Sequence, residues 1–110
     1  MKKRILIVED NITLSQIVKD WLEREGYAVA TSIDEPYARK LLSKESFDLI
    51  LSDVRLPQGD GIHLLEWIIK EKVDIPFVIM TEAASDALYP SASFIILLIR
   101  EASSVFIPFE

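Results

Sequence analysis

The chain is 110 residues long, 50% hydrophobic and 27% charged, a balance that suits one small globular domain with a single core rather than a disordered segment. Its formal net charge of -6 argues against nucleic acid or an anionic membrane as a partner of this domain by itself. With no cysteine and a single histidine, His63, it offers neither a disulfide framework nor a zinc cluster. The apolar run after the basic start, residues 5–8, is too short for a secretory leader or a membrane span, so a cytoplasmic location is the simplest expectation.

Residues 5–8 (ILIV) are continuous and rich in β-branched side chains, the pattern of a buried strand, and they end at Glu9 and Asp10. Asn11 is placed to cap a helix in which Leu14, Ile17, Val18, Trp21 and Leu22 recur at helical spacing, and Gly26 stops it. Residues 27–33 alternate well enough for a second strand. Asp34 then predicts an N-cap, Pro36 a first helical turn, and Tyr37, Ala38, Leu41 and Leu42 the apolar face of a second helix. Residues 47–51 (FDLIL) read as a third buried strand that stops at Ser52 and Asp53, followed by a turn containing Pro57, Gly59 and Gly61. Ile62, Leu65, Ile68 and Ile69 predict a third amphipathic helix ending near residues 70–72, with His63 off its apolar face in solvent. Residues 75–80 predict a fourth strand, with Pro76 at its start where a missing donor matters least, ending in Thr81 and Glu82.

Strict alternation of strand and helix implies right-handed crossovers and a parallel sheet covered on both faces. After Glu82 the texture changes: eleven of the 12 Lys and Arg residues lie before it, and only Arg100 after. A crossover helix over about residues 91–101, opened by Pro90, is the first expectation there, apolar nearly all round. A strand at residues 94–99 competes with it, because periodicity does not separate the two. Residues 105–109 predict a last strand, and no residues remain for a fifth helix.

In a flavodoxin-like doubly wound sheet of strand order 2-1-3-4-5, strands one and three are neighbours, so Glu9, Asp10, Asp53 and Thr81 all fall on one edge. Singly, each has a plain reading: Asp53 as a turn cap, Glu9 and Asp10 as acids near a helix start, Thr81 as a strand-end hydroxyl. Jointly, three carboxylates in one pocket repel one another unless a cation intervenes, and a hard dication with oxygen ligands, best Mg²⁺, resolves this. Such a site readies one carboxylate for attack on phosphorus.

These residues resemble a family, the receiver domains of bacterial two-component response regulators. The resemblance is carried by residues 5–11 (ILIVEDN), 51–61 (LSDVRLPQGDG) and 78–81 (VIMT), and spans roughly residues 1–82 of a single domain over 1–110. It implies that Asp53 is the phosphoacceptor, that Glu9 and Asp10 hold Mg²⁺ together with Asp53 and the backbone carbonyl of Arg55, and that Thr81 is the switch hydroxyl that moves toward the phosphoryl group. A histidine kinase would be the donor, and the chemistry would be self-directed phosphoryl transfer and hydrolysis rather than turnover of a separate substrate. The chain would then be the N-terminal piece of a longer regulator.

Residues 83–110 depart from the family's pattern. Receivers carry Lys-Pro-Phe near the end of strand five, whereas this chain has Ile107-Pro108-Phe109 and no lysine beyond Lys72. Phe106 stands near the place of the switch aromatic, although a core aromatic is the role its sequence favours, and Glu101-Ala102 replaces a glycine-alanine pair. A second expectation follows: a pseudo-receiver that binds partners without productive switching. A third, a small metal-dependent phosphatase with Asp53 as nucleophile, is disfavoured because no second catalytic acid follows Asp53 at close spacing and no cap encloses a substrate. The apolar run 94–99 also predicts a homodimer through residues 83–110.

Overall fold

Successive residues of a strand face opposite sides of its sheet, and this alternation sorts the apolar side chains of the chain into two cores. The computed structural model describes residues 2–53, 55, 56, 58–71, 73–82, 94–98 and 106–109, with residues 80–82, 94–98 and 106–109 described by their backbone alone. Strands β1 (Arg4–Val8), β2 (Ala28–Ser32), β3 (Leu49–Asp53) and β4 (Phe77–Glu82) alternate with helices α1 (Ile12–Arg24), α2 (Glu35–Lys44) and α3 (Gly61–Lys70). On one face, Leu6 and Val8 of β1, Ile50 of β3, and Phe77 and Ile79 of β4 pack with Ala38 of α2 and with Leu64, Leu65 and Ile68 of α3. On the other, Ile5 and Ile7 of β1, Leu51 of β3 and Val78 of β4 pack with Val18 and Leu22 of α1.

The sheet order begins β2-β1-β3-β4, all parallel, as the alternating sequence predicts. Beyond β4 the structure corrects the expected helix over residues 91–101, because Phe94–Leu98 is a strand, β5, paired antiparallel to β4. A sixth strand, β6 (Phe106–Phe109), pairs antiparallel to β5 where a last strand was expected. The physical reason lies in FIILL itself: five bulky, partly β-branched apolar residues with no polar face suit a ladder, and an antiparallel return onto β4 needs no crossover helix. The remaining predicted features of residues 83–93 and 99–105, and the Pro57 turn, lie outside the described residues.

Local signals set the helix ends. The Asn11 side chain accepts the Leu14 N–H at 3.0 Å, the Asp34 side chain accepts the Tyr37 N–H at 2.9 Å, and Gly26 closes α1 with φ +97°. The buried faces are another matter. Val18 and Leu22 are buried as expected, while Ile17 is 61% exposed and Tyr37 is exposed on α2. On α3 the buried stripe is Leu64, Leu65 and Ile68; Ile62 and Ile69 face outward. Apolar residues cover a broad arc of that helix, with His63, Glu66 and Lys70 on the remaining side, so its spacing supports more than one stripe and only the neighbouring strands select one. The α3 assignment has a direct test in urea unfolding: Leu64→Ala is expected to cost about 2–5 kcal/mol, whereas Ile62→Ala should stay within about 0.5 kcal/mol of wild type.

Candidate functional site

Parallel strands in register end together, and here their ends carry acids. Val8 of β1 is the partner of Ser52 in β3, and Asp53 is the partner of Met80 in β4, so Glu9, Asp53 and Thr81 reach the same carboxyl edge of the sheet. One carboxylate oxygen from each of Glu9, Asp10 and Asp53 lies within 4.8 Å of the others. Glu9 is 2% exposed, Asp53 half-buried and Asp10 exposed. The Glu9 N–H donates to the Ser32 carbonyl at 2.9 Å, which extends the β1–β2 ladder one residue past the strand. The Asn11 N–H then donates to Glu9 Oε2 at 3.0 Å, so the turn that starts α1 also orients the Glu9 carboxylate.

That carboxylate carries the electrostatic consequence. Burial pushes the Glu9 pKa from 4.5 up to about 8; the Asn11 N–H opposes the rise, and the adjacent Asp10 and Asp53 add to it. The cluster therefore holds a proton where a cation would serve better. Three oxygen ligands, one of them open to solvent, fit a hard divalent ion that retains several waters, and Mg²⁺ matches this donor set.

The loop after β3 is built by close approach. A Cβ on Gly61 would lie 2.2 Å from the Asp53 carbonyl oxygen and 3.1 Å from Ser52 Oγ, so only glycine lets the start of α3 sit against the end of β3. Ser52, fully buried, donates its hydroxyl to the same Asp53 oxygen at 2.8 Å. Asp60 caps α3 by accepting the His63 N–H at 2.6 Å, and it forms an antiparallel bridge with Arg55.

Of the residues expected at the site, the structure brings Glu9, Asp10 and Asp53 together. Thr81 stands one residue past the partner of Asp53, at the neighbouring strand end, with its side chain outside the described residues. Arg55 is exposed in the loop that follows Asp53. His63 is 67% exposed at its side chain, on the helix surface as expected. Sequence reasoning missed Asp60 and Glu35. Asp60 had a readable signal, an aspartate directly ahead of an apolar helix. Glu35 had none: it looks like an ordinary first-turn acid, yet it is 4% exposed beneath the loop. Among the described residues no helix is long and apolar enough to cross a membrane.

The response regulator receiver domain family matches residues 5–93. The alkaline phosphatase synthesis transcriptional regulatory protein PhoP of Bacillus subtilis is 37% identical over 81 residues, which make up 74% of this chain and 34% of that protein. This chain thus spans about a third of that relative's length. Among solved structures, the non-phosphorylated HemR receiver domain from Leptospira biflexa is similar with a TM-score of 0.69 at 38% identity, covering 79% of this chain and 70% of that one. The MaeR response regulator bound to beryllium trifluoride gives a TM-score of 0.70 at 32% identity, covering 79% and 72%.

The raised Glu9 pKa predicts a pH dependence of stability. Between about 4.5 and about 8 the folded chain keeps a proton that the unfolded chain has released, so unfolding is increasingly favoured as pH rises through that window. Thermal unfolding in a chelating buffer should show Tm falling from pH 5 to pH 8, by about 4–8 °C for each kcal/mol lost. The Glu9→Gln variant should lose most of that slope, and Mg²⁺ should restore the wild-type Tm at pH 8.

Proposed function

Since this chain belongs to the response regulator receiver domain family, we propose that it accepts a phosphoryl group on Asp53 from a histidine kinase in a Mg²⁺-dependent reaction. The observation that carries this reading is the convergence of Glu9, Asp10 and Asp53 within 4.8 Å at the carboxyl edge of a parallel sheet. Glu9, Asp10, Asp53 and the Arg55 backbone carbonyl would hold the ion. When bound, it supplies positive charge that offsets the repulsion between an anionic donor and three carboxylates.

The protein's own part is positioning. β3 ends so that Asp53 stands half-buried at the edge, its backbone braced by Ser52 and by the start of α3. A carboxylate oxygen of Asp53 forms the bond to phosphorus as the donor's bond from phosphorus to imidazole nitrogen breaks, and the departing imidazole takes a proton from solvent. Thr81, at the next strand end, supplies the hydroxyl for a phosphoryl oxygen. The product adds about -1.5 to -2 charges to this pocket. A similar chain, MaeR, has beryllium trifluoride bound, which supports a site able to take a small anionic group of phosphoryl size. The domain is a signalling module rather than an enzyme acting on separate substrates.

A second reading is favoured by one feature of the sequence. No lysine lies beyond Lys72, and Ile107 precedes the proline of the last strand, so the chain lacks there a cation to contact a phosphoryl oxygen. Such a domain would take up phosphate without reporting it.

The two readings separate in one experiment. Incubation with Mg²⁺ and a small phosphodonor should add one phosphoryl group to the intact mass, lost in Asp53→Asn and in the presence of a chelator. No adduct on the wild-type chain would exclude phosphoacceptance. An adduct with no accompanying change in backbone chemical shifts outside the pocket would favour uptake without switching.

A further inference from the structure

We infer that Glu35, on the first turn of α2, is a positioning residue for the metal cluster, holding the β3–α3 loop so that the Arg55 backbone is presented beside Glu9, Asp10 and Asp53. The inference rests on the metal reading above and adds to it a residue that touches no ligand. Glu35 is 4% exposed, and a carboxylate so placed must be compensated by specific partners. Arg39, one turn further along α2, forms an ion pair with Glu35 Oε2 and lies over the Trp67 ring of α3 at 5.4 Å. His63 Nδ1 is 3.7 Å from the other oxygen, Oε1.

What Glu35 does with the remaining capacity points to the loop. Its Oε1 accepts the Asp60 N–H at 3.2 Å, and its own backbone N–H donates to the Gln58 carbonyl at 3.4 Å. Between them Gly59 has φ +81° and is pressed so closely on the side chain that a Cβ there would lie 2.0 Å from Glu35 Oε1. Three consecutive loop residues therefore close on Glu35, Gln58 against the Glu35 backbone N–H and Gly59 and Asp60 against its carboxylate. Asp60 passes that constraint on in two directions, through its bridge to Arg55 and through its cap on α3, where Gly61 abuts the Asp53 carbonyl. Gly61 abuts Asp53, and Glu35 holds residues 58–60, the stretch that leads into α3. A backbone carbonyl that completes a metal shell needs such outer support, because ligand geometry tolerates little displacement.

The test is Mg²⁺ titration calorimetry on the wild-type chain, Glu35→Ala and Glu35→Gln at one pH, with urea unfolding of each in parallel. Glu35→Ala should weaken Mg²⁺ binding about 10-fold, and Glu35→Gln, which keeps an oxygen for the Asp60 N–H, should recover most of that loss. Equal affinity in Glu35→Ala and wild type overturns the inference whatever happens to stability, since stability loss alone marks a merely structural residue. Absence of Mg²⁺ binding by the wild-type chain overturns the metal reading and this inference with it. Hydrogen exchange supplies a readout without substitution: coupling between the Glu35–Asp60 contact and the metal is reciprocal, so Mg²⁺ should slow exchange of the Asp60 amide in the wild-type chain. An Asp60 rate insensitive to saturating Mg²⁺ overturns the inference even if Glu35→Ala does not fold.

Discussion

The rest of the site depends on the register between β1 and β3. Pairing of Val8 with Ser52 places the next residue of each strand, Glu9 and Asp53, side by side at the sheet edge, with Asp10 adjoining. Side chains alternate with a period of two, so a slip of one residue in either strand would turn its apolar set away from its core and separate the acids. The two cores thus enforce an electrostatic arrangement that is unfavourable taken alone. Leu6, Val8 and Ile50 go to one face and Ile5, Ile7 and Leu51 to the other, and the acids that follow are carried to a common point. Apolar burial, which contributes about 25 cal/mol per Å², works against the repulsion that it imposes.

Repulsion then determines what the edge is suited to bind. Burial and two neighbouring carboxylates favour the protonated form of Glu9 up to a pH of about 8. Proton and dication are competing answers to one excess of negative charge; a dication would engage three oxygens where a proton engages a single pair. The same excess makes the pocket hostile to a phosphoryl donor unless a cation is held there. Under the proposed function, metal dependence would follow from the charge count before any detail of reaction is considered.

Glycine settles how near the loop comes to those acids, in two physically distinct ways. Gly61 sits within α3 and is required for space, since any Cβ would overlap the Asp53 carbonyl. Gly59 is required by its left-handed backbone, and it lies against the Glu35 side chain. The turn is thereby fixed from β3 on one side and from α2 on the other, which is why a residue from a helix 25 positions away in sequence bears on the loop at all.

These differences explain what was legible in the sequence. Strand ends are local: ILIV stops at Glu9, LIL stops at Ser52 and Asp53, and once the alternation implied a parallel sheet the acid cluster followed without knowledge of any contact. Caps at Asn11 and Asp34 were legible for the same reason, because donor and acceptor lie three residues apart. Ile17, Ile62 and Ile69 were misplaced because helical spacing defines a stripe only relative to a partner surface, which lies elsewhere in the chain. The segment FIILL was expected first as a helix because the topology of the preceding units was extended by one more crossover, whereas the edge of β4 offered an antiparallel ladder instead. Glu35 was illegible for the deepest reason. Its burial is created by Gly59 and Asp60, and their approach is created by Gly61 against Asp53, so its role exists only after the site it supports has formed.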